Sequence, residues 1–397
     1  MDRNKKASPA YPGDTISLDE TGILSFVHFG DLHITTETAE NYGDFHALIS
    51  DANRHLKSGI AFTVLPGDNA ENGSEEQYRL VRRAVDRMEI PLFVIPGDHD
   101  VQTGSLDLFR RYLDPQPVRA VSAGEYRCLF LDAVDRAAVI GKPGAFGLRD
   151  IQLGWLEREL QVATRNTCRA ILFSHVYPSE LGDSAEAVRE LMRRHRVIMV
   201  DTGHTHYNEI ANDGQTIYAA TRSTGQIEEG PVGFSITNLD RGVVSWSFKP
   251  LDVPWPFVMI TSPADRAFIV DPARPDQLVR DTVEIRAKAW DESGISAAWC
   301  QVDDEPWRPM SRIATTAAWR CSWDSMGTTD GFHRITVRVE GIDGQRADDT
   351  IWALTSQSGR YRAPPRGPGD NSNAIGAYPE KGILGTQLGP NKNGRKW

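Results

Sequence analysis

The sequence predicts a two-part chain, an α/β sandwich over the first 250 or so residues followed by an all-β sandwich. Three observations carry that prediction. As far as Lys249, short β-branched apolar runs alternate with segments of helical period. Beyond it the pattern changes to two-residue alternation with turn signals and many tryptophans. After Gly359 a Pro/Gly run, Arg362-Ala363-Pro364-Pro365-Arg366-Gly367-Pro368-Gly369, breaks the pattern again.

In chain order, strands are expected at residues 23–29, 61–65, 92–95, 126–131, 170–173, 197–200 and 216–219, and helices at 44–57, 74–88, 151–164 and 185–194. In the first helix Phe45, Leu48, Ile49, Ala52 and Leu56 share one face. The second opens with Ser74-Glu75-Glu76-Gln77, a capping-box pattern. In the second part, Val283, Ile285, Ala287 and Ala289 alternate with Glu284, Arg286 and Lys288, and Ile335, Val337 and Val339 alternate with Arg334, Thr336 and Arg338. Each run is a strand with one buried face, and Asp291-Glu292-Ser293-Gly294 and Asp343-Gly344 supply turns. The expected organisation is a flexible N-terminus at 1–20, the α/β domain at 21–250, an immunoglobulin-like β-sandwich at 256–355, and a Pro/Gly-rich linker and C-terminal tail at 359–397. Trp290, Trp299, Trp307, Trp319 and Trp323 read as sandwich core or rim. The end of the tail carries Tyr378, Ile383, Leu384, Leu388 and Trp397, which leaves open whether it docks on the body or on a second subunit, or stays disordered.

A length of 397 residues exceeds one modest core. The formal charge of −10 argues against a general attraction to polymeric nucleic acid or an anionic membrane surface and points to a small substrate. The Arg-rich stretches at 79–87 and 189–196 carry interleaved acids and read as solvated helix faces. Residues 1–14 hold no apolar signal-peptide core and no uncharged run approaches a membrane span, so a cytoplasmic location is expected. The four cysteines, Cys128, Cys168, Cys300 and Cys321, lack disulfide-scaffold or metal-site spacing and are expected as free thiols, although Cys300 and Cys321 fall in the same domain.

Chemistry concentrates in five short motifs in fixed order: Asp31-Leu32-His33, Gly67-Asp68-Asn69, Gly97-Asp98-His99-Asp100, Ser174-His175 and Gly203-His204-Thr205-His206. Each follows an expected strand, and side chains from several loops converge at the C-terminal ends of α/β strands. Asp31 and His33 are two apart, so an extended backbone would point both the same way. A mixed carboxylate and imidazole set suits Mn, Fe or Zn and lacks the thiolates of structural zinc.

At these residues the chain resembles the calcineurin-like metallophosphoesterase superfamily over roughly residues 23 to 250. The resemblance implies a four-layer αββα sandwich holding two divalent or mixed-valent metal ions. In it Asp68 bridges; Asp31, His33 and His206 complete one site; Asp98, His175 and His204 complete the other. Two such ions neutralise phosphoryl oxygens and lower the pKa of a shared water. The resemblance also implies that His99 stays off the metals, contacts the phosphate and protonates the leaving oxygen, with Asp100 as its orienting partner. His28, His46, His55, His195 and His333 match no motif. Two positions depart from the pattern. Asp98 stands where Asn is usual, so two divalent ions and a hydroxide give a formal balance of about zero rather than +1. Glu71-Asn72 stands where protein Ser/Thr phosphatases carry Asp-Arg, which argues against a protein phosphatase and makes Asn72 a candidate substrate contact.

The expected activity is hydrolysis of a small phosphodiester. The compact motifs look most like bacterial class III cyclic nucleotide phosphodiesterases, which makes a 3',5'-cyclic nucleotide the leading candidate, ahead of glycerophosphodiesters. The alternatives are a phosphomonoesterase and a non-catalytic metal-binding scaffold. The expected partners are the small diester and, through the sandwich or tail, a second copy of the chain; no nucleic acid polymer and no membrane are expected.

Overall fold

A computed structural model describes residues 13–134, 146–361 and 373–385. The expected Pro/Gly linker at 362–369, most of the N-terminal stretch at 1–12 and the tail end at 386–397 lie outside the described residues.

Two sheets form the centre of the first part. One runs Val243–Pro250, Gly233–Asp240, Leu24–His28, Phe62–Leu65, Leu92–Val94. The other runs Thr15–Ile16, Arg119–Ala123, Tyr126–Phe130, Arg169–Ser174, Met199–Thr202, Ile217–Ala220, Glu209–Asn212. Between them lies an aromatic core in which Phe26 stacks on Phe62 at 5.3 Å and Phe130 on Phe173 at 4.6 Å. The helices Glu40–His55 and Glu75–Val85 cover the outer face of the first sheet through Phe45, Leu48, Tyr78 and Val81. Asp150–Arg165 and Ala185–His195 cover the second through Leu156, Leu160, Val188 and Met192. The layers are therefore α, β, β, α, and the sheets are mixed because hairpins join otherwise parallel strands.

Several elements differ from the sequence reading. Thr15–Ile16, placed in a flexible N-terminus, pairs in parallel with Ser122 and Ala123, and Ile16 is buried. Gly233–Asp240 and Val243–Pro250 form a hairpin that the alternation rule did not find. All eight residues of Gly233–Asp240 are buried because cores lie on both faces of this inner strand, which leaves no polar face to alternate. Ser74 does cap Gln77 N–H, but the Gln77 side chain accepts from Asn72 N–H instead of closing the box.

The second part is an immunoglobulin-like sandwich of two four-stranded antiparallel sheets. The outer strands Phe257–Ser262 and Ser311–Arg312 flank Thr282–Trp290 and Ala318–Asp324, facing a sheet built on Ile295–Val302, Gly331–Gly341 and Arg346–Thr355. Trp290, Trp319 and Trp323 are buried, and Trp299 and Trp307 are half-buried at the rim. The expectation of free thiols is corrected for one pair. Cys300 and Cys321, on strands of opposite sheets, are disulfide-bonded, whereas Cys128 and Cys168 are free. The sandwich packs on the α/β domain through buried polar contacts: Arg286 pairs with Asp240 at 2.9 Å, and the Lys288 ammonium donates to Ser25 Oγ at 2.9 Å and to the Gly59 carbonyl. Residues 373–385 dock on the body, bridging Ala374 to Ala211 beside the Glu209–Asn212 edge strand and burying Ile383 in the core between the sheets. Among the described residues no helix is long and apolar enough to cross a membrane.

Candidate metal centre

All five motifs leave C-terminal strand ends. Three come from the first sheet, after Leu24–His28, Phe62–Leu65 and Leu92–Val94, and two from the second, after Arg169–Ser174 and Met199–Thr202. The ligands thus meet across the seam between the sheets. Seven side chains form two clusters that share Asp68: Asp31, His33, Asp68 and His206, and Asp68, Asp98, His175 and His204. Within each, the ligand atoms lie within 4.8 Å of one another.

In the first cluster His33 Nε2 lies 3.1 Å from His206 Nε2 and 3.6 Å from Asp68 Oδ2, and His206 Nε2 lies 3.6 Å from Asp31 Oδ2. In the second, Asp98 Oδ1 lies 3.2 Å from His175 Nε2 and 3.3 Å from His204 Nδ1, with Asp68 Oδ2 at 3.4 Å from His175. The geometry places these ligands by backbone shape rather than by an extended run. His33, Asp68, His204 and His206 have φ of 46°, 49°, 63° and 63°. The extended Asp31-to-His33 backbone expected from sequence is therefore corrected: a left-handed turn at His33 aims its ring. Such positions cost about 1–3 kcal/mol each and persist only where surroundings enforce them. Here the Asp68 carbonyl accepts from Leu32 and His33 N–H at 3.1 and 2.8 Å, which locks the first two motifs together. Glycines permit the close approach, since a Cβ on Gly203 would fall 2.2 Å from Asp31 Oδ1 and one on Gly97 2.2 Å from Asp68 Oδ1.

The electrostatics suit cations. Burial pushes Asp31 up to about 6, and its Oδ1 is buried without a hydrogen-bond partner. Burial drives His33 down to about 4 and His206 to about 3, which keeps both imidazoles neutral with a lone pair to offer. Burial works against charge on His175 as well, but Asp68 and Asp98 overcome it and raise its affinity for a proton, and a cation between those carboxylates would replace that proton. Buried oxygens and neutral imidazoles in this pattern fit two metal ions, with Asp68 common to both sites.

His99 lies beside the centre, half-buried, with its backbone N–H donating to Asp68 Oδ1 at 2.9 Å. Its Nδ1 lies 2.6 Å from the Glu71 carbonyl, which can only accept, so Nδ1 carries the hydrogen. Burial would depress its pKa, but Asp68 and that carbonyl prevail and raise it above the ordinary value. The expected His99–Asp100 partnership is corrected. In the turn His99–Val101 adjacent side chains diverge, and Asp100 is fully buried. It accepts from Gly97, Asn69 and Ala70 N–H, from Asn69 Nδ2 and from Tyr78 OH, bracing the second and third motifs. Asn72 is exposed one residue beyond Glu71, at the edge of the site. His28 pairs with Asp201 between the sheets and is structural. The sequence reading missed Glu71 and Gln226, which reach His33 Nδ1 at 2.9 and 3.2 Å, and Glu228, 3.8 Å from His206 Nδ1 and bonded to Tyr207 OH. Glu71 follows the second motif and was marked in sequence only as a departure from the protein phosphatases; nothing marked residues 226 and 228.

Fold and centre together define a metal-dependent phosphoester hydrolase domain. Residues 24–208 match the calcineurin-like phosphoesterase family, and residues 256–337 match the bacterial Ig domain family; the chain joins one domain of each kind. Among curated relatives, a probable glycerophosphodiester phosphodiesterase of Arcobacter nitrofigilis is 24% identical over 208 residues, 45% of this chain and 71% of the relative. A probable cyclic nucleotide phosphodiesterase of Xenorhabdus bovienii is 25% identical over 202 residues, 46% of this chain and 78% of the relative. The 3',5'-cyclic adenosine monophosphate phosphodiesterase of Escherichia coli K12 is 22% identical over 243 residues, 57% of this chain and 86% of the relative.

Proposed function

We propose that the chain is a phosphodiesterase for a small diester, with a 3',5'-cyclic nucleotide as the leading substrate and Mn, Fe or Zn in the two sites. The observation that carries this reading is the surplus of carboxylate. Asp31, Asp68 and Asp98 all face the centre, Glu71 and Glu228 stand behind two of its histidines, and among the described residues no Lys or Arg pairs with the three aspartates. Such a site repels a dianionic monoester more strongly than a monoanionic diester. The printed names of the three relatives, all phosphodiesterases, support the same reading.

When bound, the two ions supply charge neutralisation and an acidified water. The chain's residues do the rest. Asp68 holds the two sites at a fixed separation, and Asp100 fixes the loops that carry Asp68 and Asp98. His99, with Nδ1–H committed to the Glu71 carbonyl, presents Nε2 to substrate and delivers a proton from it to the leaving oxygen. A panel of cyclic nucleotides, glycerophosphodiesters and phosphomonoesters, assayed with manganese-loaded protein, tests the reading. It fails if a monoester is the best substrate by kcat/KM.

The compartment follows the substrate in this reading, and a cyclic nucleotide is met in the cytoplasm. The Cys300–Cys321 bond suits an oxidising compartment instead. Alkylation of the chain in intact cells before lysis separates the two: labelled Cys300 and Cys321 support the cytoplasm.

A further inference from the structure

Residues 221–231 form a loop wedged between the first and fifth motifs. Ser223 Oγ and the N–H groups of Thr224 and Gly225 all donate to the Asp31 carbonyl, at 2.8, 2.9 and 3.0 Å, and Ser223 N–H reaches the His206 carbonyl at 3.4 Å. The same loop carries Gln226 to His33 and Glu228 to His206. It therefore touches every ligand segment that is private to the first site.

What holds this loop reaches beyond the catalytic domain at one point, the Gly382 carbonyl. Arg222 is 2% exposed, and its guanidinium sits 4.2 Å over the Phe248 ring. Nη1 donates to the Glu229 and Pro231 carbonyls at 3.1 and 3.3 Å, folding the loop back on itself. Nη2 donates to the Gly382 carbonyl at 2.8 Å, in the C-terminal segment. Asn208, just past the fifth motif, donates to the same Gly382 oxygen at 2.9 Å and accepts from Arg222 N–H at 2.8 Å. The segment is itself anchored in the sandwich, where buried Lys381 pairs with Asp349 and Tyr378 OH donates to Asp265 at 2.8 Å. Gly230 has to be glycine, since its Cβ would fall 1.9 Å from Arg222 Nη1.

We propose that Arg222, clamped by the Gly382 carbonyl, is a positioning residue that sets the metal affinity of the first site, so that the C-terminal segment and the sandwich control how readily the second ion is held. The proposal rests on the two-site reading and not on the diester preference: a protein that binds two ions and hydrolyses no diester leaves it standing. Without the clamp, Gln226 and Glu228 lose their fixed approach to His33 and His206, and loss of such outer contacts weakens metal binding by about 10–100-fold.

The test uses the full chain, stripped of metal, with Arg222→Met and Gly382→Ala. The second variant leaves the loop's own residues unchanged and displaces both the acceptor carbonyl and the Phe248 ring under the guanidinium, because its Cβ would meet Phe248 Cβ at 2.6 Å at a φ of +81°. Manganese titration by calorimetry and elemental analysis counts equivalents, and circular dichroism verifies folding. The expected result is one equivalent bound as in the parent, at Asp68, Asp98, His175 and His204, and a second weakened about 10–100-fold. Two equivalents at parental affinity in the folded variants overturn the proposal, as does equal weakening of both. Should Arg222→Met fail to fold, Gly382→Ala alone decides.

Discussion

Replacing Lys288 with Met removes a specific pH dependence of stability at the seam between the two domains. The Lys288 ammonium is fully buried, donating to Ser25 Oγ and the Gly59 carbonyl, and burial lowers its pKa from 10.5 to about 8. Asp19 and Asp240 oppose that shift and Arg286 adds to it. Because the folded value lies below the unfolded one, the unfolded chain binds more protons between about pH 8 and 10.5, and stability rises with pH across that window. A shift of this size changes the folding free energy by roughly 2 kcal/mol between pH 7.5 and 9.5. Urea unfolding of the parent and of Lys288→Met at both pH values isolates this contribution, since other groups, including buried Cys128, titrate equally in both and cancel. The parent should gain about 2 kcal/mol over the variant on going to pH 9.5. Parallel pH profiles would refute the argument and show that the ammonium is solvated at the seam.

Other perturbations probe the centre and the sandwich. His99→Ala should lower kcat by about 10²–10⁴-fold while elemental analysis still finds both metals; surviving turnover would remove the histidine from leaving-group protonation. Asp98→Asn removes one carboxylate and should shift the ratio of diester to monoester kcat/KM toward the monoester by about 100-fold, from one unit of charge about 6 Å away at an effective dielectric near 20; an unchanged ratio discards the charge argument. Cys300→Ser opens a loop closed over a sequence separation of 21 residues and should cost about 3 kcal/mol in denaturant unfolding. A thiol titration that finds four free cysteines in the parent would contradict the pairing.

The metal ligands were legible because metal chemistry demands particular side chains at strand ends, and strand ends are marked by short apolar runs. How the ligands are aimed was not. A two-residue spacing suggests an extended backbone, but the ring of His33 is directed by a left-handed turn locked by the Asp68 carbonyl. Asp100 shows the converse, since adjacency to His99 in sequence implied contact, whereas the turn sends the two side chains apart. Gln226 and Glu228 were invisible because they act on the centre only through a loop whose position depends on Arg222 and on Gly382, far away in sequence. The inner strand Gly233–Asp240 was missed because burial on both faces erases periodicity. The disulfide depends on which strands face each other across the sandwich, which spacing alone does not encode.

The measurement that bears most directly on the central claim is the initial rate of manganese-loaded protein on bis(p-nitrophenyl) phosphate beside p-nitrophenyl phosphate, with a metal-stripped control. A dinuclear centre with surplus carboxylate predicts metal-dependent turnover that favours the diester. Preference for the monoester, or equal rates with and without metal, would contradict it.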